Sequence, residues 1–469
     1  MRWTDLFARK PVADHRGHGA EAHRVLGAGA LVAMGIGATI GSGIFVTTGQ
    51  VARAVAGPGV MLSYALAGLA CVLAGLCYAE FAALAPTGGS AYSYAYSTLG
   101  ELPAWVIGWD LVLEYAVAGS IVAVGWSEHL VALLAALGVA VPTWLVKPVN
   151  IPAALVILGL TYLLVRGVKG AADANAVMVV VKVAVVLLVI LVGAWYVRPA
   201  NWVAFGGPRG GGFLPFGGAG VVTGAAMVFF AYLGFDAVST HAEETRNPGR
   251  NLPVGILVSL LVCTALYVGV AAVLTGMVPW PEIATEAPVV AAFAGRGGWV
   301  ARAAGVVVGA GALAGMTSVL LVTFSGQARI FRAMARDGLL PPRLFGACHP
   351  RYQTPHRSLA LTGGVAALAA ALTPADFLLE MVSIGTLMAF AIVCGAVLVL
   401  RRTHPELHRP FRCPWVYLVA PLGVGVSVYM MTGLPLETWV RLVAWLAVGL
   451  VLYFSYGRRH SALRRPGST

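Results

Sequence analysis

Residues 37–45 read GATIGSGIF, with three glycines and two hydroxyls inside a run otherwise apolar enough for a membrane helix. Gly41 and Gly43 are expected to take up the positive φ of an unwound turn and to let a ligand approach the backbone closely. A helix that stops at mid-membrane leaves N–H and C=O groups that hydrocarbon cannot satisfy, so they must line a buried polar cavity. N–H groups at the start of the second half-helix suit an anion, and the carbonyls that end the first suit a cation. A second interruption follows in VFFAYLGFDAVSTHAEETRNP, residues 228–248, where Gly234 and Asp236 fall at membrane depth. Paired breaks of this kind suit a zwitterion carrying a carboxylate and an ammonium. The plainer alternative for the glycines is close helix packing through small residues. Ser42 and Thr39 add hydroxyl donors to the first break. Phe230 sits beside the second, where a ring is either core packing or a gate.

Three ionisable residues at membrane depth need a reason, since each opposes insertion by roughly 2.5–3.5 kcal/mol. Lys182, in AVMVVVKVAVVLLVILV, lies about 16 Å into its helix at 1.5 Å per residue. It either snorkels to the interface or is a buried amine that gives up and regains a proton. Glu114, in GWDLVLEYAVAG, pairs with a cationic group or serves as an interhelical hydrogen bonder. Asp236, beside the second break, reads as a cap for the half-helix that follows it. Asp110, one turn before Glu114, has no assigned role.

The elements that must position these groups follow from composition. The 469 residues are 59% hydrophobic and 11% charged, with mean hydropathy +0.83, far from the roughly 25% charged residues of soluble domains. The expected fold class is an all-α integral membrane protein. At about 20 apolar residues per crossing, twelve transmembrane helices are expected. They run near 27–53, 58–84, 94–126, 150–166, 174–197, 218–241, 253–277, 301–328, 357–372, 377–400, 414–432 and 438–456. The sixth span stands five after the first, so the two breaks occupy equivalent places in an inverted five-plus-five repeat. The organisation expected is a segment 1–24, one domain over 25–457 and a tail 458–469.

Most of the 31 Lys and Arg residues fall in segments that share one side in this topology, among them 329–357, 401–412 and 458–465. The positive-inside rule makes that side cytoplasmic, with both termini, and no cleavable signal is read in the polar, basic start of the chain. Anionic inner-leaflet lipid accounts for the net charge of +12 without nucleic acid. The six cysteines are scattered without metal-ligand spacing and read as packing thiols. No cofactor or metal is expected. A channel would need a continuous polar lining, and a membrane enzyme a cluster of His, Cys or carboxylates. His241, His349 and His356 fall at span edges and form no such array.

Four stretches carry a resemblance: GIGATIGSGIF in the first span, CYAEFAALAPTGGSAYSYAY from Cys77, FFAYLGFDAVSTHAEETRNPGRNLPVGI from Phe229, and QARIFRAMARDGLLP from Gln327. Together they resemble the amino acid–polyamine–organocation superfamily, specifically the bacterial branch of the cationic amino acid transporter family. The resemblance implies two inverted five-helix repeats, repeat one over about 25–200 and repeat two over about 215–402, then two peripheral helices over about 413–457, and alternating access, in a bacterial inner membrane. It implies substrate contacts at Ile40, Gly41, Ser42, Gly43 and Ile44, and at Phe230, Ala231 and Leu233. It also implies that a lysine at position 182 faces the first and eighth spans, where related transporters hold sodium, which makes protons the expected coupling ion. Met316 of the eighth span either narrows the pocket or simply packs. The function expected is secondary active, proton-coupled symport of neutral L-amino acids, with cationic amino acid uptake or uncoupled exchange as the alternatives. Glu243 or Glu244 with Arg329 or Arg336 reads as an exchangeable inner gate or as solvated surface charge. PTGGS, residues 86–90, is a tight turn and not a phosphate loop, for no Gly-Lys-Ser/Thr ending follows.

Overall fold

Long apolar runs with few polar interruptions satisfy their backbone internally, and the chain is accordingly helical. The computed structural model describes residues 7–10, 25–84, 89–167, 171–203, 205–206, 212–352 and 354–464, with backbone alone for 171–176 and for Glu243. Most of the 1–24 segment, the Pro86 to Gly88 part of the glycine turn, Lys169 and Arg465 lie outside the described residues.

In chain order the helices are α1 (Ala28–Thr39), α2 (Thr48–Val51), α3 (Val60–Leu84), α4 (Ser90–Thr98), α5 (Glu101–Ala136), α6 (Ile151–Arg166), α7 (Ala171–Ala194) and α8 (Gly217–Val228). There follow α9 (Pro248–Met277), α10 (Pro288–Ala294), α11 (Trp299–Arg336), α12 (His356–Leu372), α13 (Ala375–Thr403), α14 (Val416–Met431) and α15 (Leu436–Leu452). Among the described residues, eight helical stretches are long and apolar enough to cross a membrane, and α1, α6 and α14 are shorter apolar helices.

Helix ends follow local chemistry. The Asn150 side chain accepts from Ala153 N–H at 3.2 Å to cap α6, and Gly167, at φ 62°, ends it. Gly100, at φ 105°, separates α4 from α5, so the third apolar run begins at Glu101 rather than at residue 94. The 36 residues of α5 and 38 of α11 extend about 54 and 57 Å. Both exceed a hydrocarbon core of about 30 Å, so they tilt or project beyond it.

The framework around the breaks is α3 on α9, α5 on α11 and α13, and α1 on α7 and α9. Two polar knots hold its edges. Glu80 of α3 takes a two-pronged contact from Arg401 at 2.8 Å, a second guanidinium from Arg409 at 3.1 Å and the Cys413 N–H at 2.8 Å. Glu101, at the start of α5, accepts from Tyr453 at 2.6 Å, from Arg464 at 3.1 Å and from Ser461. Close by, Lys10 reaches Asp337 at 2.9 Å, so segments near both ends of the chain dock at the same end of α11.

Candidate functional site

The first interruption falls where its glycines indicated. The last bond of α1 runs from Ile40 N–H to Ile36 O at 2.9 Å, Ile40 turns extended, and helical geometry resumes as a π-helix over Gly43–Thr47. The expected positive φ at Gly41 and Gly43 is not what occurs; Gly234, at φ 111°, carries it instead. The physical reason for the first pair is proximity. A Cβ on Gly41 would stand 3.0 Å from Val319, and one on Gly43 would overlap Ala231 of the second break.

That second break begins as α8 tightens into a 3₁₀ turn over Phe229–Tyr232, and Leu233 and Gly234 then leave helical geometry. The segment that follows, Asp236–Glu244, is 3₁₀ rather than α. Asp236 is the first residue of that segment rather than the residue before it. Its Oδ1 accepts from Gly234 N–H at 3.2 Å, back into the break, and its Oδ2 accepts from Tyr115 at 3.0 Å.

Three tyrosines that sequence reading passed over stitch the breaks together. The Tyr267 hydroxyl stands 2.9 Å from Thr39 O and 2.8 Å from Ala231 O, so its proton serves either interruption in turn. Tyr64 donates to Gly43 O at 2.9 Å, and Tyr232 donates to Tyr64 O at 2.8 Å. Their rings form one cluster with centroids 5.2–6.4 Å apart. The available signal was a phenol in an apolar helix, which needs a hydrogen-bond partner when buried. A parallel bridge between Leu26 and Thr245 also joins the start of α1 to the end of the second broken segment.

Between the breaks lies a cavity of about 40 Å³. Gly41, Ser42 and Gly43 border it from the first break, and Phe230, Leu233 and Asp236 from the second. Glu114, Ala118 and Val122 of α5 and Val319, Val322 and Thr323 of α11 complete the wall. Ser42 Oγ and Glu114 Oε2 are buried there without a hydrogen-bond partner, an arrangement that calls for a polar occupant. Water needs roughly 10–15 Å³ of such space, so the cavity is closed to a whole amino acid in this conformation. Ile40, Ile44 and Ala231 stand behind the lining, where their backbones hold the breaks. Met316, fully buried on α11, does not border the cavity; Val319 and Thr323 occupy the facing positions.

Lys182 is buried in α7 and donates to Gly37 O and, at 3.1 Å, to Ile40 O. Its ammonium thus closes the carbonyl end of α1, where the helix dipole favours a cation. Opposite it, a Cβ on Gly315 of α11 would lie 3.4 Å from the Lys182 Cβ, which puts the lysine between the first and eighth apolar runs. Of the anticipated gate residues, Arg329 pairs with Glu244 at 3.2 Å. Arg336 is exposed at the end of α11 and joins no ion pair among the described residues, and the Glu243 side chain lies outside them.

A model of the amino acid permease family matches residues 26–453. The chain therefore belongs to the amino acid permeases of the amino acid–polyamine–organocation superfamily, transporters rather than enzymes. It is 45% identical over 428 residues to the methylthioribose transporter of Bacillus subtilis (strain 168), covering 89% of this chain and 90% of that one. It is also 45% identical over 422 residues to the branched-chain amino acid permease BcaP of the same organism, covering 87% and 88%. To the vacuolar cationic amino acid transporter 4 of Arabidopsis thaliana it is 40% identical over 368 residues, covering 76% of this chain and 60% of the relative.

Proposed function

We propose that this permease carries neutral L-amino acids by alternating access through twelve spans arranged as two inverted five-helix repeats and two peripheral helices, over residues 25–457. The observation that carries this reading is the cavity where both interruptions meet, with backbone at its polar end and Ala118, Val122, Val319 and Val322 on its wall. The substrate carboxylate takes the N–H groups and Ser42 hydroxyl of the first break, its ammonium takes carbonyls of the second, and Phe230 covers it. A short aliphatic side chain suits the apolar wall, in keeping with the similarity to a protein named a branched-chain permease. Closing of the cavity around substrate and opening toward the cytoplasm requires the Arg329 and Glu244 pair to separate. Both termini are cytoplasmic and the membrane is the bacterial inner membrane.

Protons drive the cycle through Lys182. Charged, it ties Gly37 O and Ile40 O and holds the end of α1 beside the break; neutral, it loses its attraction to the dipole and lets α1 move. A second reading, uptake of cationic amino acids, is favoured by Glu114 and Asp236 bordering the cavity and by the relatives named for such substrates.

Uptake of labelled leucine, alanine, lysine and arginine into proteoliposomes, sodium-free, with and without an inward proton gradient, tests these readings. Gradient-driven accumulation of alanine or leucine is the expected result. Lysine or arginine accumulation in their place would move the assignment to the second reading, and uptake only against internal amino acid would make the protein an exchanger. Lys182→Ala is expected to abolish gradient-driven accumulation while leaving counterflow measurable; accumulation at the wild-type level would remove the lysine from coupling.

A further inference from the structure

A second concavity, of about 490 Å³, opens between α6, α7, α11 and α12, away from the breaks. Its wall is Leu160, Leu163 and Leu164 of α6, Met178 of α7, Leu321 of α11 and Leu359 of α12. The hydroxyls within it are already used: Thr317 donates to Leu313 O at 2.8 Å, Ser325 to Val322 O at 2.9 Å, and Thr354 to Val165 O at 2.6 Å. The wall therefore offers an occupant apolar contact and little else.

One end differs. Arg329 and Arg332 border it, three residues apart on one face of α11. Arg332 is exposed and joins no ion pair among the described residues, while Arg329 has Glu244 at 3.2 Å. Among the described residues, two guanidiniums stand against one half-exposed carboxylate, which makes the mouth positive. From Thr317 to Arg332 the groove follows α11 for about 22 Å at 1.5 Å per residue, an apolar channel of acyl-chain length under a cationic head. Basic pockets between membrane helices favour anionic headgroups, and the guanidinium fork matches a phosphate.

We propose that this groove binds one anionic phospholipid, with its phosphate on Arg329 and Arg332 and an acyl chain along Leu163, Leu321 and Leu359. The phosphate competes with Glu244 for Arg329, so the bound lipid loosens that ion pair. Placement in the cytoplasmic leaflet rests on the orientation proposed above; the site itself does not.

Native mass spectrometry of the full-length chain in detergent, titrated with phosphatidylglycerol, phosphatidylcholine of the same acyl chains, or inorganic phosphate, tests it. The expected result is one saturable phosphatidylglycerol adduct, at least tenfold tighter than phosphatidylcholine, weakened about tenfold by Arg332→Gln and again by Leu321→Trp, which fills the groove. Equal binding of the two lipids, or phosphatidylglycerol binding unchanged in both variants, overturns the proposal. Full displacement of the lipid by inorganic phosphate would make this a free-anion site and overturn it as well. Because micelles have no inner face, failure here is failure of the groove; side-specific labelling of introduced cysteines tests the orientation separately.

Discussion

Glu80 and Glu114 are buried alike, at 1% and 3% exposure, in opposite surroundings. Around Glu80 stand Arg401, Arg409 and the Cys413 N–H, all within 3.1 Å. Glu114 has the Thr386 hydroxyl beside it but keeps Oε2 without a partner, and the groups near enough to act on it include two more acids, Asp236 and Asp110. Both Asp110 oxygens are likewise unpartnered. A buried charge persists in apolar surroundings when it is paired and hydrogen-bonded. Glu80 meets that condition within the protein, so its work is to pin the α13–α14 connection to α3. The Glu114 region does not meet it, and it borders the cavity. Acid left unsatisfied inside a membrane protein marks the place where a ligand or a proton is received.

The contrast breaks most severely at Glu80→Gln. Two guanidiniums would lose their buried counter-charge, so about 3–5 kcal/mol of destabilisation is expected, read as loss of the monodisperse peak in detergent after mild heating. A variant as heat-stable as the parent would strip the knot of its architectural role. Next comes Gly43→Ala, which pushes against the Ala231 backbone across the two breaks. Substrate affinity is expected to fall more than tenfold, at least about 1.4 kcal/mol, with folding retained in thermal melts; unaltered affinity would detach the first break from the site.

Glu114→Gln sharpens the comparison from the other side. It replaces a buried carboxyl that no cation among the described residues answers, so thermal stability should change by less than about 1 kcal/mol, while the ratio of lysine to leucine binding changes. If arginine and lysine bind the parent and are lost selectively in the variant, the carboxylate reads the side chain; an unchanged ratio would return Glu114 to helix packing. The smallest effect belongs to Glu244→Gln. Its ion pair with Arg329 is about two-fifths exposed and contributes roughly 0–1 kcal/mol, so melting should barely move while the rate of release to the cytoplasmic side rises. Equal release rates would mark the pair as surface charge.

The reach of sequence reading can be seen at individual residues. Apolar runs and glycine-bearing interruptions announced an all-helical membrane protein broken near Gly41 and Gly234, because backbone satisfaction in hydrocarbon leaves few other readings. The lysine at 182 stood out because an ammonium deep in Val-rich helix is rare enough to demand a partner. Its partners, Gly37 O and Ile40 O, come from a helix some 140 residues earlier, and no local pattern names them.

Other features were decided by the tertiary structure alone. Gly41 and Gly43 are glycines because Val319 and Ala231 press on them, a fact about distant neighbours and not about φ. Met316 was the conspicuous side chain of α11, yet helix rotation presents Val319 and Thr323 to the cavity, and a helix apolar on all sides carries no periodic signal of its facing. Tyr64, Tyr232 and Tyr267 become one bridge only when α3, the 3₁₀ turn after α8 and α9 converge. Composition and spacing determined which groups could not be left unsatisfied in a membrane; packing decided which partners satisfied them, because those partners come from helices far apart in the chain.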